Sequence, residues 1–158
     1  KLASGIAPVP EMLEAGITVS LGTDGAVSGN DLDLWLAMRL AAMLHKGVRG
    51  DARLVSTQQA LAMATLAGAE TLGVSDRIGS LEVSKEADFI MIDLERAHAV
   101  PLFDPLTHAV FSTNKSDVRH VFVGGKQIVR DRTLTGIVLS DVLAEVRDLA
   151  PRVQASIA

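Results

Sequence analysis

The sequence contains no cysteine among its 158 residues. Without cysteine the chain has no disulfide framework, no thiolate nucleophile and no cysteine-based zinc site. Any metal that it binds must therefore be held by aspartate, glutamate or histidine side chains. Histidine is itself scarce, because the chain has four.

Basic clusters and long apolar runs are absent as well. The formal net charge is −4 and the Lys and Arg residues are scattered, which argues against a surface for nucleic acid or anionic membranes. No apolar run reaches the ~18 residues that span a bilayer, and the first residues lack the pattern of a basic stretch followed by an apolar core. We therefore expect a soluble, cytoplasmic protein with no nucleic-acid or membrane partner.

Hydrophobic residues make up 48% of the chain, which is enough for the core of one domain or for parts of two. The first residue is Lys1 rather than Met, and apolar residues are frequent from the start. We expect a fragment whose first elements pack against a part of the protein that precedes Lys1.

Alternating helix and strand signals occupy the first half of the chain. Residues 17–23 alternate apolar with small or polar side chains, which predicts a strand that ends at Asp24. Ser56 and Gln59 have the spacing of a capping box, which predicts the start of a helix. The predicted helices are 7–15, a helix from a cap at Asn30 or Asp31 to about Lys46 with Gly47 as its stop, and 56 to about 72.

Short strand signals follow from residue 78 onward. Gly124 and Gly125 lie between two of these strands and predict a two-residue hairpin, because both positions need a positive φ. A last helix is predicted from Ser140 or Asp141 to about Gln154. The predicted strands are 79–81, 87–93, 109–112, 118–123 and 126–130.

This order of elements predicts an α/β chain in which the end of one domain is joined to part of a separate β domain. We place the divisions at 1–77, 78–139 and 140–158, the last being the C-terminal helix. The helix that ends near Lys46 is apolar around most of its circumference, so it must be buried on several sides or against a second subunit. A homo-oligomer is therefore expected.

The stretch LGTDGAVSGNDLDLW, residues 21–35, places Asp24 at the C-terminal end of the predicted strand. In parallel α/β folds the reacting groups lie at this end of the strands, and the small residues that follow leave open space over the carboxylate. An Asp before a Gly also often hydrogen-bonds its own backbone in a turn. From these residues alone both interpretations of Asp24 stay open.

None of the histidines forms a His-x-His pair or an i,i+4 pair with another ligand-type residue. A histidine in the last turn of a helix is favoured by the helix dipole, and isolated histidines lack the convergent geometry of a metal site. The histidines by themselves predict no metal centre. They are His45, His98, His108 and His120.

Other reactive residues have weak local support. Ser4 and Ser28 as nucleophiles would need a base supplied by the fold, and the chain has no Gly-x-Ser-x-Gly elbow. Gly-Gly-Lys at 124–126 lacks the spacing of a phosphate-binding loop. Asp31 and Asp33 are two residues apart on a predicted helix and do not face each other as an acid/base pair. We interpret them as a helix cap and a first-turn charge.

Two longer passages resemble known motifs. Residues 21–34, LGTDGAVSGNDLDL, are similar to the last barrel-strand motif of the amidohydrolase superfamily, and in detail to that of the methylthioadenosine/S-adenosylhomocysteine deaminases. Residues 78–93, IGSLEVSKEADFIMID, resemble the passage in which amidohydrolases leave the barrel and re-enter a small β domain. The opening KLASGIAPVPEML resembles the segment just before the last barrel strand, and VRHVFVGGKQIV resembles the late hairpin of the β domain. All four passages occur in the order of the family. The resemblance implies the C-terminal part of a metal-dependent-hydrolase (β/α)8 barrel and part of a small β-sandwich domain with a terminal helix.

The resemblance also implies a mononuclear metal site, usually zinc, held by three histidines and by the aspartate that ends the last barrel strand. Asp24 matches that aspartate, and the other ligands would lie upstream of Lys1. Asp24 would then be a metal ligand and a catalytic residue in contact with substrate, which takes a proton from the attacking water and delivers it toward the leaving ammonia. Gly29 stands where the deaminases more often have Asn.

The implied activity of the complete protein is hydrolytic deamination of methylthioadenosine or S-adenosylhomocysteine to the inosine derivative and ammonia. A purine nucleoside is the implied small-molecule partner, and one divalent metal, zinc, is the implied cofactor. Two alternatives stay open. One is another amidohydrolase, such as a guanine or 8-oxoguanine deaminase or a triazine chlorohydrolase, and the other is a chain that is non-catalytic as it stands.

Overall fold

The structure is a computed structural model that describes residues 3–156. The first two residues of the predicted unit 1–77 and the last two residues of the predicted unit 140–158 lie outside the described residues. The fold is mixed α/β: five helices precede the first strand of a four-stranded antiparallel sheet, one helix follows that strand, and a last helix follows the sheet in the chain. Its elements are α1 Val9–Glu14, α2 Ala26–Gly29, α3 Leu34–Arg49, α4 Thr57–Ala64, α5 Leu66–Thr71, β1 Phe89–Ile92, α6 Pro105–Phe111, a 3₁₀ turn Lys115–Asp117, β2 Val118–Val123, β3 Lys126–Arg130, β4 Thr133–Leu134 and α7 Leu139–Ser156.

Helix α3 begins and ends later than predicted. Its cap is Asp33, whose carboxylate accepts two N–H groups of the first turn, and not Asn30 or Asp31. Asn30 has a φ of 60° and instead closes the single turn α2, so a helix cannot start there. Gly47 lies inside α3, and Gly50, with a φ of 66°, ends it in the left-handed conformation that glycine adopts readily.

The capping box of Ser56 and Gln59 is confirmed, because each side chain accepts the backbone N–H of the other residue. The predicted helix is nevertheless not continuous. Thr65 leaves helical geometry, with φ −134° and ψ −98°, and separates α4 from α5. Gly79, with a φ of 94°, packs so closely on this region that a Cβ would lie 2.8 Å from a side-chain atom of α5. The strand predicted at 79–81 is therefore wrong, and this segment is irregular.

The predicted strand 17–23 is a coil segment, without a hydrogen-bonded strand beside it in the described part of the chain. A strand needs N–H and C=O partners on a neighbouring strand. Here the N–H of Leu21 donates instead to the carbonyl oxygen of Met63 at 3.0 Å. Val19 and Leu21 both pack against the buried cluster of the helices. The alternating pattern thus marks Val19 and Leu21 correctly as packed positions, whereas Ile17 is half exposed, and this segment joins no sheet within residues 3–156.

The antiparallel sheet has the strand order β1, β2, β3, β4. Strands β2 and β3 have the predicted bounds 118–123 and 126–130. Gly124 and Gly125 between them have φ values of 55° and 75°, as the hairpin prediction requires. Strand β1 is the central part of the predicted strand 87–93, and β4 adds a short edge that was not predicted.

The strand predicted at 109–112 is wrong, because most of it lies in the helix α6. Asp104 caps this helix, and its carboxylate accepts two N–H groups of the first turn at 3.1 and 3.2 Å. Pro105 occupies the first helical position, where its missing N–H has no cost. The apolar run is therefore a helix face, and its Val110 is fully buried.

The core is shared by three helices. Met38 and Ala42 of α3, Ala60 and Met63 of α4, and Val110 of α6 belong to one buried cluster. Helix α7, by contrast, buries none of the residues described. No helix within residues 3–156 is both long enough and apolar enough to cross a membrane.

Candidate functional site

Asp24 lies between the coil segment 17–23 and the turn α2. Its backbone is left-handed, with a φ of 58°, a conformation that is uncommon for residues other than glycine and recurs at turns and functional sites. The N–H of Gly25 donates to its Oδ1 at 2.7 Å, and the residue is exposed. The local hydrogen bond expected of a turn residue is thus present, and the carboxylate still faces outward from the described residues.

The pKa of Asp24 lies below its ordinary value, because the Ser28 hydroxyl and the Gly25 amide hydrogen-bond to the carboxylate. The Ser28 hydroxyl also donates to the carbonyl oxygen of Gly25 at 2.9 Å, within the same turn. Asp24 is consequently ionised at neutral pH. An exposed, ionised carboxylate can hold a cation or accept a proton, which are the two roles considered for it.

Gly29 is the last residue of the turn α2 that follows Asp24. Its N–H donates to the carbonyl oxygen of Gly25 at 2.9 Å. A Cβ on Gly29 would lie 2.9 Å from the carbonyl oxygen of Thr23, closer than real Cβ atoms approach another heavy atom. The lack of a side chain at this position therefore lets α2 return against the residue before Asp24. A larger residue would require a backbone shift at the site.

The histidines lie in structural contacts. His98 Nε2 is 2.9 Å from Asp117 Oδ2, and the ring of His108 stacks on that of His98 with centroids 6.3 Å apart. His45 is buried in α3, and His120 Nδ1 accepts a backbone N–H at 3.2 Å. In the part of the chain that the structure describes, no three His, Asp or Glu side chains are grouped so that they could hold a metal ion. A metal ion held by Asp24 would therefore need further ligands from outside the described residues.

The candidate nucleophiles and the glycine hairpin show no arrangement for catalysis or phosphate binding within the described residues. Ser28 donates within the turn that follows Asp24, and Ser4 is exposed near the start of the described chain. At the glycine hairpin, the N–H of Gly124 donates to Asp88 Oδ1 at 2.6 Å, so a carboxylate of the chain itself occupies the amide that a phosphate would need.

Two acids between α2 and α3 have separate roles. Asp33 caps α3, while Asp31 Oδ2 accepts a hydrogen bond from Lys115 Nζ at 2.5 Å. The same nitrogen lies 3.7 Å from Asp33 Oδ2. No local signal in the sequence predicts this contact, because 84 residues separate Asp31 from Lys115.

Comparison with known proteins supplies the family. A profile of the Amidohydrolase family matches residues 1–128, a range that contains Asp24 and both resembling passages. The chain belongs to the amidohydrolase family. The resemblance seen in residues 21–34 and 78–93 is thereby confirmed.

This amidohydrolase chain is 44% identical over 150 residues to the 5-methylthioadenosine/S-adenosylhomocysteine deaminase of Syntrophobacter fumaroxidans, a match that covers 95% of the chain and 34% of that protein. It is 43% identical over 159 residues to the 5'-deoxyadenosine deaminase of Methanosarcina barkeri, covering 98% of the chain and 36% of that protein. The chain therefore spans about a third of the length of the curated relatives that it matches.

Solved amidohydrolase structures share the fold. An adenosine deaminase from Xanthomonas campestris with bound zinc superposes with a TM-score of 0.94 at 36% identity, over 98% of this chain and 35% of that one. An atrazine chlorohydrolase from Arthrobacter aurescens, also with zinc, gives a TM-score of 0.84 at 31% identity, over 92% and 32%. Because proteins named for different substrates share this fold, the substrate has to be argued from other evidence.

Proposed function

We propose that the complete protein is a metal-dependent hydrolytic deaminase of an adenosine-type nucleoside, which converts methylthioadenosine or S-adenosylhomocysteine to the inosine derivative and ammonia. The observation that carries this proposal is the 44% identity with the S. fumaroxidans deaminase across 95% of the chain. Identity with the atrazine chlorohydrolase is lower, at 31%. The similar identity with a 5'-deoxyadenosine deaminase, 43%, supports the same substrate class and adds 5'-deoxyadenosine as a second candidate.

Asp24 is, in this proposal, both a metal ligand and a proton carrier. Its exposure and its lowered pKa support the first role, because an ionised carboxylate binds a cation without first losing a proton. A bound zinc ion, the metal present in both solved relatives named above, supplies activation of a water molecule at neutral pH. The Asp24 carboxylate accepts the proton of the attacking water and returns it toward the departing ammonia.

The other ligands belong, in this proposal, to the part of the protein that this chain does not include. One carboxylate cannot replace the three or four ligands of a zinc site, and the described residues offer no group of three. The isolated 158-residue chain should therefore hold no stoichiometric zinc and should not deaminate. This outcome would agree with the alternative that the chain is non-catalytic as it stands.

We also propose that residues 1–77 are the last part of a (β/α)8 barrel, 78–139 part of a small β domain and 140–158 its C-terminal helix. The packing of Val19 and Leu21 against the helix cluster supports a barrel strand at 17–23, and the antiparallel sheet supports the second unit. Helix α6 lies in the second range but packs with α3 and α4 of the first. The exposed apolar side chains of α3 support burial by the rest of the protein or by a second copy, and we retain a cytoplasmic homo-oligomer as our expectation.

The test is a substrate panel on the purified complete protein, with ammonia release and zinc content as readouts. Methylthioadenosine, S-adenosylhomocysteine and 5'-deoxyadenosine should be deaminated, whereas guanine, 8-oxoguanine and atrazine should not react. Asp24→Asn should lower turnover about 100-fold or more, because it removes the proton carrier, and should reduce zinc content. Asp148→Asn, in the exposed helix α7, is the matched control and should keep both.

Two results would overturn the proposal. An Asp24→Asn protein with full turnover and full zinc would remove Asp24 from the site. Turnover of guanine, 8-oxoguanine or atrazine in preference to the three nucleosides would assign the protein to another branch of the amidohydrolases.

A further inference from the structure

The segment 109–115 is fixed along the first half of α3. Trp35 and Arg39 of α3 donate side-chain hydrogen bonds to two backbone carbonyl oxygens of this segment, at 2.9 and 2.6 Å. Lys115 at its end donates through Nζ to Asp31 just before α3 begins. Because the two carbonyl contacts hold the backbone, Lys115 is presented at a defined place beside the chain that leads from Asp24 to α3.

Lys115 is a cation that contacts both acids between α2 and α3. Its Nζ lies 2.5 Å from Asp31 Oδ2 and 3.7 Å from Asp33 Oδ2. The hydrogen bond raises the pKa of Lys115 and lowers the pKa of Asp31, so both partners are charged at neutral pH. The side chains of Lys115 and Asp31 are 59% and 45% exposed, and such a pair changes an equilibrium by only a small factor.

The chain between Asp24 and Asp31 is one helical turn with a strained residue at each end. Asp24 has a φ of 58° and Asn30 a φ of 60°. The N–H of Asn30 donates to the carbonyl oxygen of Ala26 at 3.0 Å, which closes the turn. Left-handed backbone at residues other than glycine persists only where the surroundings determine it. Asp31 directly follows Asn30, and its hydrogen bond with Lys115 links this turn to a distant part of the chain.

We propose that Lys115 is a positioning residue for Asp24. Its contact with Asp31 keeps the α2 turn closed. The closed turn then keeps the Asp24 carboxylate exposed and hydrogen-bonded to the N–H of Gly25. The consequence for turnover rests on the proposed function, whereas the consequence for the geometry of the turn does not. A lysine of the second half of the chain thereby acts on the site residue of the first half.

The experiment compares Lys115→Met, which keeps the length of the side chain and removes the charge, with Lys115→Arg in the complete protein. Lys126→Met, at the exposed start of β3, is the matched control. In Lys115→Met, amide hydrogen exchange of residues 25–30 should accelerate about two- to fivefold, and zinc should dissociate to a chelator faster by a similar factor. Lys115→Arg should restore both values, and Lys126→Met should leave them unchanged. A kcat lowered by the same factor with an unchanged KM is expected of a group that acts on the chemical step.

A double-mutant cycle separates this role from a general structural effect. Asp31→Asn should reproduce Lys115→Met, and the double variant should be no worse than either single variant. At about 1 M salt, which screens exposed charges, the wild type should approach Lys115→Met. Exchange of residues 25–30 that is equal in wild type and Lys115→Met would overturn the proposal, as would additive effects in the cycle. A wild-type protein without deaminase activity would refute the proposed function, and the exchange data would still decide the role of Lys115.

Discussion

The indole Nε1 of Trp35 donates a hydrogen bond to the carbonyl oxygen of Ala109 at 2.9 Å and so joins α3 to the last turn of α6 across 74 residues of sequence. Carbonyl groups in the last turn of a helix have no partner within the helix. Trp35 supplies one where α6 meets the core. The contact stabilises the C-terminal end of this short helix and fixes it to α3.

Trp35→Phe should therefore lower the free energy of unfolding by about 1–3 kcal/mol, because a smaller aromatic ring remains while the carbonyl of Ala109 loses its partner. Urea unfolding of both proteins, followed by circular dichroism, measures the difference. Fluorescence is unsuitable, since Trp35 is the single tryptophan. An unchanged midpoint would show that water replaces the indole at no cost.

Local signals in the sequence predict an element correctly where the residues that end it lie within the element or next to it. The capping box of Ser56 and Gln59 and the hairpin of Gly124 and Gly125 both depend on residues within a few positions of each other. The antiparallel strands β2 and β3 pair with each other and are joined by that hairpin, so each strand has its partner close by in sequence. Their predicted bounds are therefore correct.

Elements whose state depends on distant contacts were not predictable in this way. Residues 17–23 have a strand pattern, but pairing needs neighbours that the described chain does not place there. Residues 109–112 are predicted as a strand, although an apolar run of this length fits a strand or a helix equally well. In the structure, the cap at Asp104 and the packing of Val110 favour the helix. The role of Asp24 as the site residue stays a prediction from its motif, and no local signal predicted the contact between Asp31 and Lys115.

The contribution of the capping box at α4 to stability can be tested with two adjacent glutamines, Gln58 and Gln59. Gln59→Ala removes the acceptor for the N–H of Ser56, which lies 2.8 Å from Gln59 Oε1, and should lower the free energy of unfolding by about 0.5–1 kcal/mol. Gln58→Ala, one position earlier, keeps the box and should be neutral or slightly stabilising, because Ala favours a helix. Chemical denaturation of the two variants should separate them, and equal stabilities would argue against the box.

The buried carboxylate of Asp117 predicts a dependence of stability on pH. Burial raises its pKa, but hydrogen bonds from the Asn114 amide and from His98 lower it more, so the pKa lies below its ordinary value. Since the folded state prefers the ionised form, this stabilisation is complete above the unfolded pKa of ~3.9 and is lost as the pH falls through the lower folded value.

Asp117→Asn should thus be less stable than wild type near neutral pH, by about 1–3 kcal/mol, and the difference should shrink as the pH falls below about 4. Thermal unfolding from pH 7 to pH 2.5 measures it, with Asp148→Asn of the exposed helix α7 as control. A difference that stays constant over this range would mean that the charge of Asp117 contributes nothing.

The close approach of Gly29 to Thr23 links the shape of the Asp24 turn to stability and activity together. In Gly29→Ala the new Cβ would lie 2.9 Å from a backbone oxygen, which cannot swing away as a side chain does, so the turn must shift. We expect a loss of about 1–3 kcal/mol in the free energy of unfolding, together with weaker zinc retention and slower deamination in the complete protein. Gly136→Ala, where nothing lies within 4 Å of the added Cβ, should be neutral or slightly stabilising. If Gly29→Ala lost stability but kept zinc and turnover, the shape of this turn would not control the position of Asp24.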